Sequence, residues 1–300
     1  EECFEDRAKY IHAIETGMAC YDKETEVLTD HGWKRFTEVQ SNDKICTINQ
    51  KDNEIEFQNP NKILKYNYKG KMYRLKTKRI DLLVTPNHKL FISHCDFRKS
   101  TNFILKEAEF SFNRSKRFKK DGIWYGKNER YFTLPAVKLR HGSGYYSGFR
   151  NKAEKKLPMK EWLKFFGLWI AEGWTTEGND GDYGVYIENN NKKLLFEMKK
   201  ILSSFGYNVY YEYKRNKRIK GRDYQLFYYL KQFGKSHEKY IPQDIKSLSK
   251  ELLQILLNYY IKGDGHIYGR NGKGLSAPTS SICLRDDLQE IALKIGISAY

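Results

Sequence analysis

The chain lacks the cysteine arrangements that stabilise small secreted proteins or zinc modules. Its five cysteines are an odd number, and they show neither a CxxC pair nor another zinc-ligand spacing. Its residues also show neither a signal-peptide pattern nor an apolar run of eighteen residues. These absences argue against a disulfide framework, a structural zinc site and a transmembrane helix. The sequence therefore predicts a reduced, cytoplasmic protein with no membrane partner.

Acidic residues are scarce relative to basic ones, and the imbalance is concentrated in one segment. The net charge is +17, of which residues 96–157 contribute +10, from 16 basic and 6 acidic side chains. Aromatic residues interleaved with these charges indicate ordered structure rather than a disordered tail. The block therefore predicts a polyanion-binding surface, most simply for nucleic acid. A solvated, lysine-rich linker is the alternative. The basic candidates in the block are Arg114, Lys116, Arg117, Lys119 and Lys120.

Two short apolar segments end in the same way, 92 positions apart (264 minus 172). Each has a helical pattern that finishes with a small residue, a carboxylate and a glycine: Ala171-Glu172-Gly173 and Gly263-Asp264-Gly265. Glycine often follows a helix because it adopts positive φ cheaply. Negative charge is unfavourable at a helix C-terminus, so two such carboxylates side by side would favour a shared cation such as Mg²⁺. Two unrelated helices, each ended by glycine, are the alternative.

The remaining patterns predict a β-rich N-terminal half and a mixed C-terminal half. Residues 1–19 have helical periodicity, and a hairpin turn is expected at Tyr68–Lys71. Strands are expected at 25–29, 44–49, 63–68, 72–77, 80–85, 130–134, 183–188, 266–268 and 275–283. Helices are expected at 159–172, 191–205, 248–263 and 284–295. The order helix-strand-strand-helix follows both acidic motifs, which indicates an internal repeat.

A basic loop is predicted between residues 207–214 and 223–230, which alternate strongly and are expected to pair as a hairpin. A two-stranded ribbon fits the major groove of DNA, so the loop is a candidate DNA contact. An ordinary half-buried hairpin with a soluble tip is the alternative. The loop's basic candidates are Arg215, Lys217, Arg218, Lys220 and Arg222.

The two acidic segments resemble the paired signature of LAGLIDADG homing endonucleases. Lys239-Tyr240-Ile241-Pro242 resembles the lysine-x-isoleucine-proline block between the repeats of that family, and residues 279–297 resemble the block after the second motif. The resemblance implies an α+β endonuclease with two pseudo-symmetric repeats, at 158–240 and, incompletely, at 241–300. It further implies a monomer that cuts double-stranded DNA. Glu172 and Asp264 would bind two or more Mg²⁺ ions, and Lys239 would be the catalytic lysine.

The N-terminal half resembles the Hint (hedgehog/intein) splicing domain. The matching segments are Cys20–Thr29 with Gly32-Trp33, then Asn42–Ile45, then Leu83–Phe91, which contains Thr85-x-x-His88. The resemblance implies an all-β Hint domain at 20–95, joined at Ala19–Cys20 to the end of a host protein (extein, 1–19). Cys20 would attack the preceding carbonyl to form a thioester, His88 would protonate the leaving nitrogen, and Thr85 would hold the neighbouring carbonyl or His88. Structural roles are the alternatives: a buried small thiol at Cys20 and a satisfied strand-end histidine at His88.

Together, the resemblances imply a multidomain intein with an embedded homing endonuclease, and residues 96–157 would be a linker or DNA-recognition region. The C-terminal splicing blocks would lie beyond Tyr300, so this chain would form the thioester but not ligate. One alternative is a free-standing LAGLIDADG endonuclease with a β domain that does not splice. Another is a DNA-binding regulator that has lost cleavage.

Overall fold

The computed structural model divides the chain into two compact units. The first comprises Glu1–Tyr125 with Ala292–Tyr300, and the second comprises Gly126–Ile291. The structure describes residues 10–11, 20–65, 67–77, 80–95, 102–111, 116–141, 148–178, 182–212, 217–268 and 274–299. The basic block at 96–157 is divided between the units. None of the described helices is both long enough and apolar enough to cross a bilayer.

The first unit is built from short antiparallel strands. They form a five-stranded sheet (order β7-β1-β2-β9-β8), a four-stranded sheet (β4-β3-β5-β6) and a three-stranded sheet (β11-β10-β12). The strands are β1 Tyr10–Ile11, β2 Cys20–Tyr21, β3 Glu26–Thr29, β4 Gly32–Arg35, β5 Ile45–Ile48, β6 Ile55–Gln58, β7 Leu64–Lys65, β8 Tyr73–Lys76, β9 Asp81–Val84, β10 Lys89–His94, β11 Ile104–Glu107 and β12 Lys116–Phe118, with a 3₁₀ turn at Glu109–Ser111.

Two local predictions for this unit are wrong. Tyr10 and Ile11 are strand, not helix, and pair with Tyr21 and Cys20; the rest of the predicted N-terminal helix lies outside the described residues. Residues 68–71 do not join a hairpin, because β7 pairs with β1 whereas β8 pairs with β9. Pairing between strands distant in sequence overrides the local turn pattern. The expected strands at 25–29, 44–49, 72–77 and 80–85 are confirmed, each slightly shorter.

The second unit combines antiparallel sheets with six helices in its described part; the last four residues of α6 are assigned to the first unit. Its strands are β13 Tyr131–Leu134, β14 Val137–His141, β15 Gly148–Lys152, β16 Lys155–Pro158, β17 Gly173–Glu177, β18 Tyr183–Glu188, β19 Asn208–Glu212, β20 Arg218–Arg222, β21 His266–Tyr268 and β22 Gly274–Ser276. Its helices are α1 Met159–Glu172, α2 Lys192–Ser204, α3 Tyr224–Lys231, α4 Gln243–Lys246, α5 Lys250–Asp264 and α6 Ile282–Ile295.

Helices α1 and α5 pack against each other at the centre of this unit. Helix α1 is apolar on almost every side, as expected for a helix enclosed by other elements. Its Trp162 and Trp169 are fully buried, and Trp162 stacks on Phe132 with ring centroids 4.1 Å apart. Trp169 packs near Phe233, with ring centroids 6.1 Å apart. These large aromatic side chains bury much apolar surface between α1 and its other neighbours, so they fix the position of the helix that ends at Glu172.

The main sheet of this unit has the order β17-β18-β20-β19, with helices α2 and α3 against one face. Residues 223–230, expected to be a strand, form helix α3, and the expected basic loop contains strand β20. Asp223 caps α3, since its carboxylate accepts the N–H of Leu226. The alternation that predicted a strand is overridden by tertiary contacts: Phe227 is buried, and Tyr224 and Tyr228 pack near Tyr183 of β18.

The expected internal repeat is present as an order of elements. Helix α1 is followed by β17, β18 and α2, and helix α5 is followed by β21, β22 and α6. Strand β22 is shorter than expected, and α6 begins at Ile282. Helices α2 and α6 precede Gly206 and Gly296, whose φ values are +81° and +83°, as expected for helix-terminating glycines.

Candidate active site

Glu172 and Asp264 are the last residues of α1 and α5. The two helices approach closely because glycine occupies the contact. A Cβ added at Gly263 would lie 2.7 Å from Cβ of Ala171 and 3.1 Å from Cγ of Glu172. Farther along the seam, a Cβ at Gly167 would lie 2.5 Å from the carbonyl oxygen of Leu256. The structure therefore brings the two predicted carboxylates to the same end of one helix pair.

The expected positive φ at the flanking glycines does not occur. Gly173 has φ −98° and Gly265 has φ −77°, both with extended ψ. Close approach explains glycine here instead: a Cβ at Gly173 would lie 2.2 Å from Cδ1 of Trp169, and one at Gly265 would lie 2.5 Å from the carbonyl oxygen of Ile261. At both glycines the backbone passes from the end of the helix directly into the following strand.

Glu172 is half-buried, whereas Asp264 lies at the surface, although nearby protein atoms take part of its hydration. Burial and then the charge of Asp264 raise the pKa of Glu172, while a hydrogen bond from Asn189 acts in the opposite direction. In that bond, Nδ2 of Asn189 donates to Oε1 of Glu172 over 3.0 Å. Burial also raises the pKa of Asp264, and Lys239 opposes this effect. The charge of Asp264 thus disfavours the charged form of Glu172, which is a situation that a bound cation relieves.

Lys239 lies beside this pair with its side chain buried. Its ammonium donates to the carbonyl oxygens of Ile170 (2.8 Å), Gly173 (2.7 Å) and Trp169 (3.2 Å), at the end of α1. It also lies 4.9 Å from the ring centroid of Trp169. Burial lowers the pKa of Lys239 to about 8, although Asp264 and Glu172 favour its charged form. The ammonium therefore uses its three donors at the C-terminal carbonyls of the motif helix.

The donor set fits a hard divalent cation. Mg²⁺ prefers carboxylate oxygen and water ligands, and Glu172 and Asp264 offer carboxylates whose mutual repulsion a cation would offset. Asp30, His31 and Asp43 in the first unit also bring possible ligand atoms within 4.8 Å of one another. There, however, Lys34 Nζ already lies 2.7 Å from Asp43, and the N–H of Gln40 bonds its other oxygen. These contacts favour a structural role for that cluster.

The three splicing candidates of the first unit are adjacent. The N–H of Cys20 donates to Oγ1 of Thr85 (2.9 Å), and the N–H of Thr85 donates to the carbonyl of Cys20 (3.1 Å). The N–H of His88 donates to the carbonyl of Thr85 (3.1 Å), and its ring lies edge-on to Tyr21 at 4.2 Å. Cys20, Thr85 and His88 are all buried. Burial raises the pKa of Cys20 to about 11 despite the Thr85 hydroxyl.

The Thr85 hydroxyl has other partners than those expected. It accepts from the amide of Cys20 and donates to Oδ1 of Asn87 over 2.8 Å, whereas a neighbouring carbonyl or His88 was expected. The amide it touches belongs to the Ala19–Cys20 peptide bond. Ala19 itself lies outside the described residues.

The basic candidates of the second unit lie mainly on a sheet, not on a loop. Arg218, Lys220 and Arg222 alternate along β20 on the face away from the helices, which we call the basic face. Paired positions on the four neighbouring strands place one row of side chains across this face: Trp174, Tyr186, Lys220 and Tyr210. Lys217 precedes the strand, with Nζ 3.2 Å from Oδ1 of Asn190. Arg215 lies outside the described residues.

The basic face carries its own acidic partners, which the sequence did not identify. Asp182 accepts from Lys220 (2.7 Å) and lies 3.1 Å from Nε of Arg222. Trp174 and Tyr186 stack with centroids 5.2 Å apart, and the guanidinium of Arg218 lies 5.6 Å from the Tyr186 ring. Strand alternation would have placed these side chains on one face, had β20 been recognised as a strand.

The basic candidates of the 96–157 block belong to the first unit. Lys116 and Arg117 are in β12, and Lys119 and Lys120 follow it. Lys119 pairs with Asp121 at 2.9 Å. Arg114 lies outside the described residues.

Residues 162–240 match the profile of a LAGLIDADG-like domain. The chain is 31% identical over 295 residues to an ATP-dependent Clp protease proteolytic subunit of Chlamydomonas moewusii, covering 93% of this chain and 28% of that protein. It is 28% identical over 333 residues to a DNA-directed RNA polymerase subunit beta C-terminal section of Stigeoclonium helveticum, covering 97% and 30%. The chain thus spans about three tenths of the length of these curated relatives.

Among solved structures, the chain resembles the homing endonuclease I-WcaI bound to its DNA recognition sequence. That similarity has a TM-score of 0.33 and 16% identity, and it covers 46% of this chain and 68% of the other. A second similarity is to I-DmoI in complex with DNA and Mn, with a TM-score of 0.28, 11% identity and coverage of 36% and 63%.

Proposed function

We propose that the second unit is a site-specific endonuclease for double-stranded DNA that uses Mg²⁺ at Glu172 and Asp264. The observation that carries this proposal is the convergence of two helix-terminal carboxylates with a buried lysine beside them. Glu172 and Lys239 lie within the segment that matches the LAGLIDADG-like domain, and Asp264 follows it. A carboxylate pair flanked by a cation is suited to phosphodiester hydrolysis, in which negative charge develops on the attacked phosphate.

Glu172 and Asp264 would hold the metal, which when bound polarises phosphate oxygens and lowers the pKa of a bound water. Asn189 orients the Glu172 carboxylate through its hydrogen bond. The Lys239 ammonium places positive charge next to the pair, and its lowered pKa allows proton exchange close to neutral pH. We propose Lys239 as the catalytic lysine on these grounds.

The basic face is the proposed DNA-binding surface of this unit. It presents guanidinium and ammonium groups for phosphates and alternate strand positions for base edges. Arg218, Lys220 and Arg222 belong to this surface, with Lys217 at its edge. In the first unit, the proposed DNA contacts are Lys116, Arg117, Lys119 and Lys120.

The test is cleavage of a randomised double-stranded DNA library in Mg²⁺, with sequencing of the recovered ends. We expect one long recurrent site for the wild-type protein and none for Asp264→Asn. A folded wild-type protein that binds duplex DNA but yields no recurrent ends would contradict nuclease activity and favour a DNA-binding regulator.

As a second function, we propose that the first unit is a Hint-type domain that begins protein splicing at Ala19–Cys20. The observation that favours it is the hydrogen bond from the Cys20 amide to Thr85, with His88 in the same turn. A polarised amide beside a thiol is what an N–S acyl shift requires. The raised pKa of Cys20 means that its thiol needs a base to become nucleophilic.

The curated relatives give this proposal separate support. A protease subunit, an RNA polymerase section and a ribonucleoside-diphosphate reductase subunit match between 86% and 97% of this chain but only 28% to 37% of their own length. Recurrence of one segment in proteins with unrelated names is typical of an insert carried by a host protein. The proposed partners are therefore a host protein in cis and double-stranded DNA.

Dithiothreitol treatment followed by mass spectrometry tests the splicing proposal. The expected result is release of residues 1–19 by the wild-type chain and no release by Cys20→Ala. The same test is applied to a longer protein that continues past Tyr300. If residues 1–19 are released from neither folded protein, the result would favour an endonuclease whose β domain does not splice.

A further inference from the structure

The backbone from the carbonyl of Lys239 to the N–H of Ile241 is attached to helix α6 and to Ser281, which precedes it. The Oγ of Ser281 donates to the carbonyl oxygen of Lys239 over 2.6 Å. Two residues farther along, the N–H of Ile241 donates to Oδ2 of Asp287 over 2.7 Å. Ser281, Lys239 and Ile241 are buried, and Asp287 is nearly so. The backbone that follows the lysine is therefore held by one side chain of α6, Asp287, and by the residue that caps this helix, Ser281.

Asp287 is itself fixed by a buried ion network. Its Oδ1 accepts from Lys246 over 2.6 Å, and Lys246 also donates to Oε2 of Glu290 over 2.9 Å. Both oxygens of Asp287 are thus engaged, one by the backbone of Ile241 and one by the ammonium of Lys246. A buried carboxylate held in this way has little freedom to reorient, so it is a rigid anchor.

Ser281 has a second bond that makes its position equally defined. Its Oγ accepts the N–H of Leu284 over 3.2 Å, which caps the first turn of α6. The hydroxyl therefore links the beginning of α6 to the carbonyl of Lys239. At its other end, the side chain of Lys239 reaches the carbonyls of Ile170 and Gly173, which flank Glu172.

These contacts form one connection from the second repeat to the carboxylate of the first. Lysine has a long flexible side chain, so fixing its ammonium requires a fixed backbone as well as fixed acceptors. The acceptors lie at the C-terminal end of α1, whereas the backbone attachments come from α6 and from Ser281, which caps it. Loss of an attachment would let the ammonium move relative to Glu172 and Asp264 without altering either carboxylate.

We propose that Ser281 and Asp287 are positioning residues that hold the Lys239 ammonium at the carboxylate pair, so that α6 of the second repeat completes the active centre at the end of α1. This inference rests on the proposed nuclease function. It assigns a function to two residues whose hydrogen bonds join the Lys239 segment to α6.

The test compares Ser281→Ala with Asn191→Ala. Asn191 caps α2 through the N–H groups of Lys193 and Leu194, so both variants lose a helix cap and only the first loses a bond to Lys239. On the duplex recovered from the library, Ser281→Ala should lower kcat by on the order of 100-fold. Its KM for DNA should stay unchanged, and Asn191→Ala should retain kcat. Ser281→Thr, which keeps the hydroxyl, should restore kcat.

Acylation of Lys239 by an N-hydroxysuccinimide ester, followed by mass spectrometry, provides a readout that needs no cleavage. Ser281→Ala should be labelled at Lys239 faster than wild type and Asn191→Ala. If Ser281→Ala does not fold, Ser281→Cys replaces it, since a thiol has similar size but donates weakly.

The outcomes separate the two proposals. If the wild-type protein does not cleave DNA, the proposed nuclease function is contradicted. The rates of Lys239 acylation in Ser281→Ala and Asn191→Ala then test by themselves whether Ser281 positions the lysine. Equal labelling of Ser281→Ala and Asn191→Ala, equal kcat values for the two, or failure of Ser281→Thr to restore kcat would overturn the positioning role.

Discussion

Gly263 of α5 lies so close to Ala171 of α1 that a Cβ at position 263 would be 2.7 Å from the Cβ of Ala171. Neither position can move without its helix, because the clash involves atoms attached directly to the backbone. This contact determines how near Asp264 and Glu172 approach each other. The distance between the two carboxylates therefore depends on the absence of a side chain at Gly263, the residue before Asp264.

Gly263→Ala should destabilise the protein by about 1–3 kcal/mol through overpacking, despite the better helix propensity of alanine. It should also reduce DNA cleavage, because the helix ends must separate. Gly221→Ala is the matched control, since its nearest atoms are 3.8 Å and 3.9 Å away. Urea denaturation measures the stability of both variants. Equal stability of the two would show that α1 and α5 adapt freely.

Lys246→Met should destabilise the protein by about 3–5 kcal/mol, because it leaves Asp287 and Glu290 buried without their cation. Lys164→Met is the surface control. Lys164 pairs with Glu161 three residues earlier on α1, and both side chains are partly exposed, so its loss should cost less than about 1 kcal/mol. Thermal unfolding compares the variants. Similar losses of stability in Lys246→Met and Lys164→Met would mean that water reaches the ion network around Lys246.

Asp182→Asn should increase affinity for duplex DNA at low salt. The carboxylate pairs with Lys220 and Arg222 on the basic face, and the neutral amide would release both cations for phosphates. The slope of log K against log salt should steepen by about 0.9 for each additional phosphate that the protein neutralises. Fluorescence anisotropy across a salt series measures this slope.

Glu177→Gln serves as its control, because Glu177 pairs with Lys231 of α3 over 2.7 Å, on the helix side of the sheet. Its affinity for DNA should not change. An equal increase in both variants would place the DNA elsewhere than on the basic face.

Cys20 should react slowly with iodoacetamide at pH 8, and exposed Cys283 should react fast. Burial raises the pKa of folded Cys20 from its ordinary value of 9.0 to about 11. Above pH 9 the thiol of the unfolded chain loses its proton, whereas folded Cys20 keeps its proton up to about pH 11. The contribution of Cys20 to the stability of the folded state is therefore fully present below pH 9 and is lost as the pH rises from 9 to 11. The free energy of unfolding of wild type relative to Cys20→Ala should fall across that window. A difference that does not vary with pH would mean that the Cys20 thiol is solvated.

The features predictable from sequence were those encoded by local patterns. Helix α1 and strands β18 and β21 have their expected bounds, because uninterrupted apolar or alternating runs define them. Glu172 and Asp264 were identified because each ends such a run before a glycine. Their helices meet as expected, although the flanking glycines serve close packing and not positive φ.

The features that the sequence did not reveal depend on contacts between distant segments. Residues 223–230 alternate as a strand would, yet the Asp223 cap and the packing of Phe227 against Tyr183 of β18 favour a helix. Asn189 reaches Glu172 because β17 and β18 pair. Ser281 reaches Lys239 across 42 positions. No periodicity encodes such distances.

The most direct test of the carboxylate centre is cleavage of the selected duplex by wild type, Glu172→Gln and Asp264→Asn under matched DNA-binding saturation. Each amide keeps the size of the side chain but binds Mg²⁺ poorly. We predict that both variants bind the duplex as wild type does, yet lose Mg²⁺-dependent cleavage by at least about 100-fold. Retention of cleavage by either folded variant would contradict the assignment of Glu172 and Asp264 as the metal-binding pair.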